Sequence, residues 1–211
     1  MRMKENAMKN RQLKPAYNVQ HGVDAEYITW LTLAPELTDI TTFIPFLKRI
    51  EKNSNFKYLK IVDDARYESE ENYSFIEENN QISFIKPSNY EISKTRKYKN
   101  DISRIDNMDY YSESDLFICQ NGKKLIANWI KIRKSKTGYE SVKTIYICED
   151  CSNCNYKSQC IKGNNSKIPL EKRTKKFETS KKFNRQRKED LERIITDEGI
   201  LLRMNRSIQA E

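Results

Sequence analysis

The chain has 211 residues but only five glycines, five prolines and one histidine. So few glycines disfavour glycine-rich phosphate loops. The lone histidine, His21, falls on a strand face expected to be exposed and is not a ligand candidate. Long apolar runs are missing, and none approaches the length of a membrane-spanning helix. The opening "MRMKENAMKNRQLKP" lacks the apolar core of a signal peptide or anchor. These absences predict a cytoplasmic protein without a membrane partner, in a compartment where thiols stay reduced.

What is present is charge and aromatic surface. Charged residues make up 33% of the chain and hydrophobic ones 37%, yet twelve Tyr, eight Phe and two Trp suffice for a core and argue against wholesale disorder. The net charge is +9. From Ile161 onward, fourteen Lys and Arg face eight Asp and Glu, so most of that excess sits in the last quarter. Such a segment suits a polyanion, nucleic acid above all, or a solubilising surface.

Periodicity places the elements. "AYNVQHGVDAEYITWLTL" (Ala16–Leu33) alternates on both sides of a polar break at Gly22–Glu26 and predicts a β-hairpin with Asp24 in its turn. "TTFIPFLKRIEKN" puts Phe43, Phe46, Leu47 and Ile50 at helical spacing, with Pro45 tolerable in the first turn. "YLKIVDD" predicts a short buried strand. Ser69 should cap the next helix, and "ISFIKP" (Ile82–Pro87) should be another strand. Residues 88–109 read as a polar loop or exposed helix. "DLFICQNGKKLIANWI" predicts a hairpin around Asn121-Gly122 with a type I′ turn, and "GYESVKTIYIC" a third strand. A polar linker at 161–179, a helix over 181–198 stopped by Gly199 and a last strand "ILLRM" complete the expectation. The result is a mixed sheet with packed helices, interrupted by a small antiparallel insertion.

Two constellations carry chemistry. Cys148, Cys151, Cys154 and Cys160 follow C-x2-C-x2-C-x5-C; four thiols this close in a reducing compartment suit a structural Zn²⁺ site. An iron–sulfur cluster lacks its usual fourth spacing, and reduced thiols packed in a knuckle are the remaining reading. Cys119 reads as an isolated core residue. The second constellation is "IVDD": Asp63 and Asp64 end a strand and point to opposite faces, so only one can serve a given site. A strand-end carboxylate alone reads as a turn or cap. It gains meaning only if other acids join it, as two-metal phosphoryl transfer requires.

Three stretches, "MRMKENAMKNRQLKPAYNVQ", "VDDARYESEENY" with "ISFIKPSNYE", and "GILLRMNRSIQAE", resemble successive blocks of bacterial insertion-sequence transposases of the DDE superfamily. "YICEDCSNCNYKSQC" resembles the cysteine-rich insertion of one branch. The resemblance implies an α/β, ribonuclease-H-like (retroviral-integrase-like) catalytic core binding two Mg²⁺ or Mn²⁺ through Asp, Asp and Glu. It also implies DNA partners, the element's ends and its target, a nucleoid-associated location and, for an intact protein, a homodimer. The second acid falls on Asp64 and the third on Glu211.

The resemblance divides the chain into 1–87, a first part of the core without its first strand; 88–180, the β-meander and four-cysteine insertion; and 181–211, the end of the core. The first acid has no counterpart, Arg66 replaces the usual glycine, and Glu211 closes the sequence. The expectation is therefore a truncated, inactive transposase fragment; the alternative is a non-catalytic zinc-knuckle protein that binds nucleic acid. In "EKRTKKFETSKKFNRQRK", Lys172, Arg173, Lys175, Lys176, Arg185 and Arg187 are the expected phosphate contacts, with Phe177 and Phe183 among them for base stacking.

Overall fold

The computed structural model describes residues 2–5, 8–9, 11–36, 38–163 and 167–209. Two compact units emerge, one of residues 1–88 with 185–211, the other of residues 89–184.

The first unit holds three two-stranded sheets. Strands β1 (Arg2–Glu5) and β2 (Leu13–Ala16) pair antiparallel. The predicted hairpin forms from β3 (Asn18–Asp24) and β4 (Tyr27–Ala34), with Ala25 in the left-handed region at its turn. Helix α1 (Phe43–Ser54) begins after Thr42, so Pro45 lies in its first turn, and Asn55 ends it in the left-handed conformation. Strand β5 (Lys60–Asp63) leads through a 3-10 turn (Ala65–Tyr67) to α2 (Glu70–Glu78). Ser69 caps α2 by accepting from the Asn72 amide at 3.1 Å. β5 then pairs in parallel with β6 (Ile82–Ile85), from Lys60 opposite Ile82 to Asp63 opposite Ile85. The crossover through α2 is what a parallel pair needs.

The end of the chain departs from expectation. Helix α6 (Lys181–Ile194) is followed at once by α7 (Asp197–Gln209), so "ILLRM" is helical rather than a strand. Gly199 does not stop a helix; it lies in the first turn of α7. A Cβ there would stand 2.1 Å from the Arg193 carbonyl oxygen and 2.7 Å from Ile194 Cα, so only glycine permits the tight junction between the helices. The break comes at Thr196, whose hydroxyl accepts from the Gly199 amide at 3.1 Å. α7 packs against β5, which brings the C-terminal block to the strand ending in Asp63.

In the second unit, two short helices, α3 (Tyr90–Ser93) and α4 (Arg96–Lys99), precede a five-stranded antiparallel sheet. Its strands are β7 (Asp109–Tyr111), β8 (Leu116–Ile118), β9 (Lys124–Lys134), β10 (Glu140–Cys148) and β11 (Lys176–Thr179), ordered β11-β10-β9-β8-β7. β11 arises inside the stretch expected to be linker, because Phe177 supplies an apolar anchor between lysines. Met108, Phe117, Leu125, Tyr146 and Cys148 form the core, with Phe177 against them. Helix α5 (Lys157–Cys160) lies in the cysteine segment. At the Asn121-Gly122 turn only Gly122 has positive φ, and its amide donates to the Cys119 carbonyl, so the turn is not type I′.

Candidate functional site

The strand β5 ends in two carboxylates with different surroundings. Asp64 caps the 3-10 turn, its Oδ1 accepting from the Arg66 amide at 2.8 Å. Its Oδ2 accepts from Arg206 Nη2 of α7 at 3.3 Å. Asp63 is half-buried, and its carboxylate makes no hydrogen bond among the described residues. Burial pushes its pKa up to about 7; the Arg206 charge opposes the rise, and Asp64 and Asp39 add to it.

Asp39, which sequence reasoning did not single out, accepts from Asn18 Nδ2 at 2.6 Å and lies 3.9 Å from Arg66 Nη1. The Tyr67 phenol, close enough for Asp63, Asp39 and Asp64 to act on it, is pushed up mainly by burial. Three acids from two elements thus share one electrostatic neighbourhood, with Arg206 beside Asp64 and Arg66 beside Asp39. No group of three His, Cys, Asp or Glu side chains is arranged to hold a metal ion among the described residues. Glu211 lies outside the described residues. The last stretch that is described, α7, is the one carrying Arg206, five positions earlier in sequence.

A cavity of about 640 Å³ adjoins this end of β5. Consecutive residues of two strands, 19–24 of β3 and 60–63 of β5, line it, together with Phe43, Phe46, Leu47 and Ile50 of α1 and Leu202 of α7. Side chains alternate across a strand, so a cavity that meets every residue meets the strand edge-on. Among the described residues, β3 pairs only with β4 and β5 only with β6.

In the second unit all five cysteines, Cys119 included, line one small cavity together with Lys157 and Lys175. Cys119 is therefore not isolated: the β8–β9 turn delivers it to the cysteine segment. None of the five is in a disulfide. Burial pushes the Cys148 thiol up to about 12, with Cys151 and Cys119 adding to the rise. The Lys175 amide donates to Cys151 Sγ at 3.3 Å.

Four of the six cations expected to grip phosphate have other partners. Arg173 donates to the carbonyls of Ile168 and Gly163 at 2.7 and 2.6 Å, and Lys175 Nζ to those of Ser103 and Cys160 at 2.7 and 3.1 Å. Arg185 pairs with Glu189 and Glu77, and Arg187 meets Glu68, whose side chain is 2% exposed, through two hydrogen bonds of 2.6 and 2.9 Å. Of the six, Lys172 and Lys176 are exposed, and their side chains make no hydrogen bond or salt bridge among the described residues. Phe177 packs into the core rather than offering a stacking face.

Comparison with known proteins then bears on the C-terminal half. Residues 118–211 match the family model described as a transposase DDE domain. No curated protein and no solved structure matches the chain. The mixed α/β fold of strands and packed helices is compatible with the ribonuclease-H-like core of such enzymes. No helix among the described residues is long and apolar enough to cross a membrane. Over residues 118–211 the chain is thus similar to a transposase DDE domain.

Proposed function

We propose that the chain belongs to an insertion-sequence transposase, with the Asp64 carboxylate at the end of β5 forming part of a divalent-metal centre for phosphodiester cleavage and strand transfer. The observation that carries the reading is the 3.3 Å contact between Arg206 and Asp64. It joins the strand-end acid to the helix of the "MNRSIQAE" block, two regions 142 residues apart. Oxygen donors suit a hard cation, and Asp64 and Glu211 are the residues that would hold Mg²⁺ or Mn²⁺. Such ions, when bound, stabilise charge on the attacking and leaving oxygens of a phosphoryl transfer. The residues present bind and orient: Asp64 is fixed by the Arg66 amide, and Arg206 keeps a positive charge beside it.

The reading includes an incomplete core. Two strand edges lining one cavity are what a sheet lacking one strand would present, and the sequence supplies two of the three acids. Two carboxylates do not fix two metals with the precision the chemistry needs, so strand cleavage by this chain alone should be negligible.

A second role in the other unit is structural Zn²⁺, which would draw together Cys148, Cys151, Cys154 and Cys160, lining one cavity but not arranged as a metal-holding group, and would order a loop-rich segment. This role is compatible with either a transposase or a non-catalytic DNA-binding module.

One preparation tests both sites. Mn²⁺ at millimolar concentration should raise Tm at pH 8 in the wild type but not in Asp64→Ala, and elemental analysis should find one zinc per chain. Element-end duplex DNA should remain intact in both proteins. A Tm indifferent to Mn²⁺ would remove the metal centre. Nicking that disappears in Asp64→Ala would remove the inactivity instead.

A further inference from the structure

The 640 Å³ cavity of the first unit is walled by the edges of two strands. Residues 19–24 of β3 and 58–63 along β5 line it without a gap, while β4 contributes only Thr29 and β6 nothing. Among the described residues, 19–23 and 60–62 make no main-chain hydrogen bond to any element besides β4 and β6. Their remaining amides and carbonyls are open on the side of the cavity, and backbone groups kept from both water and partners carry a cost. Proline or free lysines commonly blunt such an edge. Neither "NVQHGVD" nor "KIVD" contains proline, and Lys60, their one lysine, pairs with Glu198.

A second, independent sign comes from Gln20, which lines the same cavity and is 5% exposed. Its Nε2 donates to the Thr42 hydroxyl, but its Oε1 is buried without a hydrogen-bond partner among the described residues. A buried acceptor normally has a donor, so an unmet one beside a cavity points to a donor that arrives with a ligand. The other walls are apolar: Phe43, Phe46, Leu47 and Ile50 of α1, with Leu202 of α7. The volume is that of a ligand site rather than of a packing defect. A compact apolar molecule would match α1 but leave two rows of backbone groups unmet. An extended peptide meets both, because it offers amides and carbonyls along each edge and side chains to a face.

We propose that this cavity is a strand-acceptor site, taking an extended segment of a separate polypeptide with apolar side chains at alternate positions. The segment would pair with β3 on one side and β5 on the other, joining the two strand pairs into one sheet ordered β4-β3-segment-β5-β6. Its apolar side chains would cover α1, and its amides would bring donors to the surroundings of Gln20 Oε1. The inference rests on the incomplete core proposed above and deepens it by naming what completes that core. It requires neither a metal ion nor DNA.

The test is amide hydrogen exchange by NMR, with thermal unfolding alongside, on the full-length chain without divalent metal. The probe is a pool of acetylated heptapeptides carrying Val, Ile, Leu or Thr at alternate positions and Ser, Lys or Asp between them. The control pool has the same composition but is N-methylated at every second amide, which blocks pairing along one edge. The first pool should raise Tm and slow exchange of the outward amides of β3 and β5 about tenfold or more, and the methylated pool should do neither. Amides of β3 and β5 that stay fast with the first pool, or equal effects of the two pools, overturn the strand-acceptor site and leave the incomplete core standing. Outward amides already slow in the chain alone overturn both, unless that protection fades on dilution. Protection that fades on dilution assigns the cavity to a second copy of the chain and overturns the separate polypeptide.

Discussion

Two carboxylates in the first unit make opposite use of burial. Asp190 of α6 is fully buried and satisfied: it accepts from the Ser83 hydroxyl at 2.6 Å, the Ile85 amide at 2.7 Å and Arg193 Nη1 at 2.8 Å, with the Tyr73 hydroxyl at 3.5 Å. Burial pushes its carboxyl up, and those donors pull it back. The carboxylate of Asp63, at the end of the neighbouring strand, makes no hydrogen bond among the described residues and has two further acids close by. The first arrangement is a clamp that holds α6 against β6. The second costs the fold something and gives it nothing back, which is how sites kept for a ligand are distinguished from sites kept for structure.

The largest effect should come from breaking the clamp. Asp190→Ala leaves the Ile85 amide, the Ser83 hydroxyl and the Arg193 guanidinium without their acceptor in a buried place. We expect a loss of about 3–5 kcal/mol of unfolding free energy in urea titrations. A loss under about 1 kcal/mol would mean that the clamp is not what fastens α6.

Asp63→Asn should do the reverse. The carboxyl is near 3.8 in the unfolded chain and about 7 in the fold, so the native state binds the extra proton between those values. The stability tied to that proton is complete below about pH 4 and is lost as pH rises through about 7. Asp63→Asn should therefore be more stable than wild type at pH 8, on the order of 2–3 kcal/mol, and indistinguishable from it near pH 4. Thermal unfolding across that range checks it, and parallel curves at all pH values would show that Asp63 ionises without penalty.

Much of the first unit is legible because local pattern and tertiary context agree there. The alternation of 16–33, the Phe43–Ile50 spacing, the Ser69 cap and the apolar "KIV" each specify one element without help from distant residues. α7 failed that test: "ILLRM" looks extended in isolation, and only the close approach permitted by Gly199 makes it the second half of a helical hairpin. β11 was hidden because four residues rich in charge become a strand only when β10 offers an edge and Phe177 a core to enter. In the candidate site, Asp64 could be found from its block, whereas the shift on Asp63, the contribution of Asp39 and the arrival of Cys119 beside the other thiols all depend on contacts across twenty or more positions. In the basic stretch, charge is visible in sequence, but the pairing of Arg185 and Arg187 with Glu68, Glu77 and Glu189 is not.

The smallest expected effect sharpens the comparison most. Arg206 touches Asp64 and also lowers the pKa of Asp63, against the larger upward push of burial. The Arg206–Asp64 pair is more than a third exposed on both sides, so as a salt bridge it should contribute under about 1 kcal/mol. Arg206→Ala should therefore barely move Tm near pH 4, where Asp63 is protonated and carries no charge for Arg206 to stabilise. At pH 8 the same substitution should cost more, because the ionised Asp63 then faces Asp64 and Asp39 without the Arg206 charge that opposes them. The midpoint of the pH–stability curve should shift to the alkaline side of 7, and Asp63→Asn in the same chain should abolish the shift. Equal losses at both pH values would reduce Arg206 to an ordinary surface contact and separate α7 from the electrostatics of β5, whereas a loss confined to high pH makes the cation, like the acids, part of one titrating centre.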